Sequence, residues 1–290
     1  MPDHAITVPV IAGIPDGDIR IGSEEHKRLF CRTFLDTFDP YKPAVIAWPR
    51  LDGDALARLT GLPFWSIAVE TEGETSMRMQ VAADATRDPL IREEIALNAF
   101  EERRHKEVLE NMIRFYGIVI GPEPDYPRPQ YPEWAFMQTG YGECFDSFFA
   151  FGLFKIARDS EYFPPALVEV FEPVIQEEAR HILFFVNWLA YMQANRPAWR
   201  RPAFMAKRAY ALARKAWNRL QLAKVAAPDN RSNMTMRWHE SMGIDLTPGS
   251  FMRICLAEND RRMAPYDARL LRPRFMPGLV RLALPLIGRN

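Results

Sequence analysis

Apolar residues recur every three to four positions over four long stretches of the chain, about 63–86, 88–117, 131–158 and 164–194. That spacing is the helical period. Asp88-Pro89, the proline-rich stretch from Pro122 to Pro132, and Phe163-Pro164-Pro165 break the pattern between them, because a proline removes a backbone donor and restricts the residue before it. Upstream, Ser23 followed by Glu24 and Glu25 reads as a helix start, with Leu29, Phe30, Phe34, Leu35 and Phe38 as its apolar stripe. A short helix over Asp54–Thr60 should stop at Gly61, and Pro63 suits the first position of the next helix. Residues 1–22, punctuated by Pro2, Pro9, Pro15 and several glycines, read as an irregular arm. At least two more helices are expected after residue 196, one capped by Thr247-Pro248, while Pro273 to Pro285 should chop up the tail. No strand alternation of useful length is present. The pattern predicts an all-α protein, with an arm and short helices over 1–62, a four-helix unit over 63–195 and a helical extension over 196–290.

Five residues change what this four-helix unit is for. Glu101-Glu102-Arg103-Arg104-His105 returns seventy-six residues later as Glu177-Glu178-Ala179-Arg180-His181, in a chain with only five histidines. Glu102 and His105 share a helix face, as do Glu178 and His181. Within about 60° of Glu102 lie Ile91, Ile95, Ala99, Leu109, Ile113 and Tyr116, with Lys106 the one charged exception. The same arc around Glu178 holds Leu167, Phe171, Val174, Ile175, Ile182, Phe185, Leu189 and Met192. A carboxylate on such a face is costly unless it is paired or bound to metal. One Glu-x-x-His there is ordinarily an inward hydrogen bond or ion pair. Two, each centred on an apolar stripe, make metal the economical reading.

A four-helix carboxylate site needs one more carboxylate from each of the other two helices. Glu72 is the choice on the first, since Trp65, Ala68, Val69, Thr75, Ser76, Met79 and Ala83 share its arc, whereas Glu70 and Glu74 align with Arg78 as a solvated ladder. Glu143 is the choice on the third, among Phe136, Ser147, Ala150 and Phe154. Asp146, one turn on and about 60° away, is a neighbour expected to reach the metals too.

The ordered set Glu72, Glu102-x-x-His105, Glu143, Glu178-x-x-His181 resembles the ferritin-like carboxylate-bridged di-iron proteins over residues 63–195. The resemblance implies a ferritin-like four-helix bundle holding two iron ions, with manganese admitted at one position. The fuller phrase resembles the oxygenase and ribonucleotide reductase branches, where an acidic residue before a ligand Glu accepts a histidine ring N–H. By that resemblance Glu177 orients His105 and Glu101 orients His181. The position where the reductases carry a radical tyrosine is Leu109 here, and the hydroxyl residue of the monooxygenases is matched by Ser147. Ser147 and Asp146 would tune the oxygen pocket. The expected activity is an O₂-activating oxidase or oxygenase acting on an organic, largely apolar substrate, with an electron donor the sequence does not name. The alternatives are a ferroxidase or peroxide scavenger, and a metal-free helical interaction protein.

Composition narrows the setting. Net charge is zero, and three scattered cysteines (Cys31, Cys144 and Cys255) suit a reducing cytosol and give no CxxC module. The stretch MPDHAITVPV lacks the basic start and apolar core of a signal peptide, so a cytoplasmic protein is expected. From Arg196 to Lys224 there are nine Lys/Arg and no Asp/Glu, interleaved with Trp199, Phe204, Met205, Tyr210 and Trp217, and the tail adds five more arginines. Such a surface suits an anionic membrane, here the inner face, or an acidic carrier protein. No nucleic-acid motif accompanies the charge. A homodimer is compatible with all of this.

Overall fold

A computed structural model describes residue 11, residues 14–225 and residues 247–287. Most of the expected N-terminal arm and the end of the tail lie outside the described residues. The described chain is all-helical, without a strand. Helices α1 (Glu24–Asp36), α2 (Gly53–Thr60), α3 (Trp65–Ala85), α4 (Pro89–Tyr116) and α5 (Pro132–Asp159) follow the expected order. Their ends are set by local chemistry. The Ser23 hydroxyl accepts from the His26 N–H at the start of α1. Asp88 accepts from Leu90 and Ile91 at the start of α4, ahead of Pro89. Gly117 ends α4 in the left-handed conformation that only glycine adopts freely. Pro63 lies in a turn ahead of α3 rather than at its first position.

The single helix expected over 164–194 is two, α6 (Pro165–Glu169) and α7 (Glu172–Asn195), separated by a turn at Val170 and Phe171. Pro173 is the cause: an unbroken helix would press its ring on the Glu169 carbonyl and strand that acceptor. It sits instead in the first turn of α7, where no donor is needed. Then come α8 (Arg201–Val225), α9 (Pro248–Met263), capped by Thr247 as expected, and α10 (Phe275–Ile287). The tail is thus helical rather than chopped. Pro277 falls in the first turn of α10 and Pro285 in its last, so neither breaks the middle.

The long helices α3, α4, α5 and α7 pack together; α1 lies on α4 and α7, and α8 and α9 lie on α5 and α7. Two glycines permit the close approaches. A Cβ on Gly140 of α5 would meet the Phe185 ring of α7 at 2.2 Å, and one on Gly152 would meet Cys255 of α9 at 2.4 Å. Two apolar clusters fill the bundle. One includes Met79, Ile95, Ala99, Phe136 and Ile182; the other includes Val69, Met112, Ile113 and Phe154. On α3, α4 and α7 the boundary between these clusters falls near the expected carboxylate, whereas on α5 the first cluster runs past Glu143 to Phe151. On those three helices the polar layer therefore lies between two apolar plugs. No helix among the described residues is long and apolar enough to cross a membrane.

Candidate metal centre

α4 and α7 each present the same face inward, and their carboxylates cross. The His105 Nε2–H donates to Glu177 at 2.8 Å, and the His181 Nε2–H donates to Glu101 at 2.9 Å. Because an ionised carboxylate can only accept, each ring carries a proton on Nε2 and turns Nδ1 inward. Both Nδ1 atoms face the same interior. His105 Nδ1 lies 3.3 Å from Glu178 and 3.7 Å from Glu72, and His181 Nδ1 lies 2.8 Å from Glu102. The two rings stack with centroids 5.7 Å apart.

The potential donor atoms fall into two groups, Glu72, Glu102, His105 and Glu178 in one and Glu102, Glu143 and His181 in the other. Glu102 belongs to both. All six residues chosen from helical phase are thus brought together. Glu74 instead pairs with Arg78 at 2.5 Å. Asp146 is the exception: it is exposed and belongs to neither group, because its turn around α5 carries it off the inner face. Ser147 is buried and donates to Glu178 at 3.1 Å, so it holds a carboxylate of the first group directly.

Residues without a sequence assignment complete the layer. Arg104 pairs with Glu177, and Arg180 with Glu101, all four buried. Each guanidinium also donates outward to main-chain carbonyls near the end of α1: Arg104 to Asp39 at 2.6 Å and Arg180 to Phe34 at 2.9 Å. Each stacks on a ring from that segment, Arg104 on Tyr41 and Arg180 on Phe34. The Tyr41 hydroxyl donates to Glu177 at 3.3 Å. Both arginines stand in the repeated phrase, one position before each histidine, and that repetition was the available signal. Glu94, two turns before Glu101, gave none. It is fully buried with both oxygens unbonded, and burial, with Glu101 next, pushes its carboxyl well above the usual range.

The charges do not balance within the layer. Arg104 and Arg180 answer Glu101 and Glu177; burial tends to raise the Glu101 carboxyl, but Arg180 and His181 outweigh it and hold it below the usual range. Among the described residues no arginine answers Glu102 or Glu143. Burial first, then Glu178 and Glu72, pushes Glu102 well up; burial and Glu102 do the same to Glu143. Both Glu143 oxygens, one Glu102 oxygen and both Nδ1 atoms are buried without a hydrogen-bond partner, which native interiors rarely tolerate. Comparison with family models, curated proteins and solved structures finds no match to this chain.

Proposed function

We propose that the chain is a ferritin-like di-iron protein that activates O₂ and oxidises an organic, largely apolar substrate. The observation that carries this reading is the convergence of five unbonded buried atoms from Glu102, His105, Glu143 and His181. Each is a lone-pair donor, and a cation is the partner that would satisfy all of them. Four inner carboxylates and two neutral imidazoles carry a charge that two divalent cations neutralise. Imidazole with carboxylate oxygen suits iron in both common states, and manganese at one position.

Glu72, His105 and Glu178 would hold one ion, Glu143 and His181 the other, with Glu102 between them. An iron pair supplies the electrons that reduce O₂. The chain's own part is to fix the donors and keep water out. Glu101 and Glu177 hold the ring protons on Nε2 and raise the basicity of Nδ1. Ser147 orients Glu178, and the apolar plugs exclude bulk water. Glu72 and Glu178 form the half-buried edge through which a substrate would reach the layer.

Metal analysis after anaerobic Fe(II) loading should find about two equivalents per chain. The double variant His105→Ala, His181→Ala should fall below one equivalent, and full occupancy there would end the di-iron reading. Exposure of the loaded protein to O₂ should convert a co-purifying or supplied apolar compound into an oxidised product. Iron oxidation with no organic product across such compounds would shift the assignment to iron or peroxide chemistry.

A further inference from the structure

The basic stretch after α7 is divided by the fold in a way its composition does not show. Part of its charge is used internally. Arg196 pairs with Glu133 at 2.5 Å and stacks on the buried Phe204. Arg201 donates to the carbonyls of Ala194 and Arg196 at the end of α7, and Arg208 donates to Tyr141 and Gln193. These contacts, with buried Phe204 and Ala211, form the face that α8 turns to α5 and α7.

The opposite face has a different composition. Ala203, Ala206, Tyr210, Ala213 and Trp217 recur every three or four residues, and all are exposed. Trp199 extends the line in the turn just before α8. Trp199 is 74% exposed, Tyr210 60% and Trp217 59%. Lys207 and Arg214 lie on the same arc and are exposed too. No acidic residue occurs between Arg196 and Lys224. The result is a ridge of exposed rings separated by alanines, with cations beside them; Trp199 and Trp217 are its outer rings, and Tyr210 lies at its inner margin, stacked on Trp134 of α5 with centroids 6.0 Å apart.

We propose that this outer face of α8 docks on an anionic lipid bilayer. Tyrosine and tryptophan favour the headgroup level, where the ring body meets acyl chain and the polar edge meets water. Lysine and arginine beside them can lay their stems along the apolar surface and reach lipid phosphates. A convex ridge suits a deformable bilayer, since it offers no pocket for the anchor residues that a protein partner would insert. The inference is independent of the metal centre.

Sedimentation with zwitterionic and anionic phospholipid vesicles across a salt series tests it. The protein should partition onto anionic vesicles at low salt and release as salt rises. Lys207→Gln with Arg214→Gln should weaken partitioning roughly thirtyfold, about fivefold to sixfold per charge. Brominated lipid should quench tryptophan emission, and Trp199→Ser with Trp217→Ser should abolish most of that quenching while leaving the circular dichroism unchanged. Several outcomes would overturn the proposal: equal indifference of all proteins to both vesicle types; salt-dependent adhesion without quenching; or dimerisation lost in the Trp199→Ser, Trp217→Ser protein without vesicle binding, which would give the ridge to a second copy. Binding of polyglutamate without binding of vesicles would overturn it equally, in favour of an acidic protein.

Discussion

The α4 and α7 halves of the bundle carry the same phrase and make the same cross-bonds, yet their histidines meet different surroundings. His105 faces three carboxylates, Glu72, Glu102 and Glu178, two of them half-buried. His181 faces two, Glu102 and Glu143, and its ring stacks on Phe34 with centroids 5.6 Å apart. Hydroxyl support is one-sided as well: Ser147 donates to Glu178 and Tyr41 to Glu177, both serving the His105 side. The shared phrase gives each position its imidazole and its charge balance. The differences lie in the number of carboxylates and in the support each position receives, since Glu143 on the His181 side is half-buried too. If the layer holds two metals as proposed, a symmetric scaffold would give them unlike surroundings.

Removing one imidazole at a time is the strongest way to break that comparison. His181→Ala leaves its ion two carboxylates, so that position should empty and metal content should fall from about two equivalents to one. His105→Ala leaves three carboxylates, so its ion should weaken but remain measurable at high Fe(II). Titration of both variants by metal analysis after desalting checks the order. Equal loss in the two would mean that the extra carboxylate contributes nothing.

The charge pairs come next. Arg104→Met and Arg180→Met each take the close partner from a buried carboxylate, leaving Glu177 with Arg180 at 3.9 Å and Glu101 with Arg104 at 3.6 Å, so the cost should stay below the ~3–5 kcal/mol of a buried pair broken outright. Denaturant unfolding of the metal-loaded proteins should show both losses. The cost at Arg180 should be the larger, because Glu101 is 0% exposed whereas Glu177 is 4% exposed and keeps the Tyr41 hydroxyl. Adding Glu101→Gln to Arg180→Met should recover much of the loss by removing that charge. No recovery would show that Arg180 acts through its stacking on Phe34 and its bond to the Phe34 carbonyl rather than through Glu101.

Much of this layer was legible because helical phase is a local property. Glu72 was separable from Glu70 and Glu74 by its neighbours alone, whereas the crossed Glu–His bonds were expected only from what the repeated phrase resembles. The unreadable parts depend on distant chain. Arg104 is anchored by the carbonyls of Asp39 and Tyr41, more than sixty residues upstream, and no pattern on α4 points to them. Asp146 was misplaced because one turn of α5 divides inside from outside more sharply than a 60° tolerance allows. The break before α7 was visible in Pro173 but was masked by apolar residues that continue the helical period on both sides of it. Nine positive charges read as one surface, whereas several are consumed against α5, α7 and Glu133.

The smallest effect should come from Ser147→Ala, and it is the sharpest test of the one-sided support. The hydroxyl accounts for one bond, 3.1 Å long, to a carboxylate that already faces His105. Burial tends to raise the Glu178 carboxyl, but the His105 contact and the His181 and His105 charges hold it below the usual range, with the Ser147 bond adding to them. A bond of this kind contributes about 1–2 kcal/mol, more when the acceptor is charged. Alanine should therefore weaken the His105 ion by roughly tenfold, the low end of the range for changes that act through a ligand. The His181 ion should be unaffected, since Ser147 does not touch Glu102, Glu143 or His181 through any hydrogen bond among the described residues. Ser147→Thr, which keeps the hydroxyl, should restore the affinity even if the added methyl lowers stability. Two-site Fe(II) titration by isothermal calorimetry resolves the difference. A shift in the His181-side site, or equal shifts in both, would mean that Ser147 serves the packing of α5 against α7 and not the orientation of Glu178.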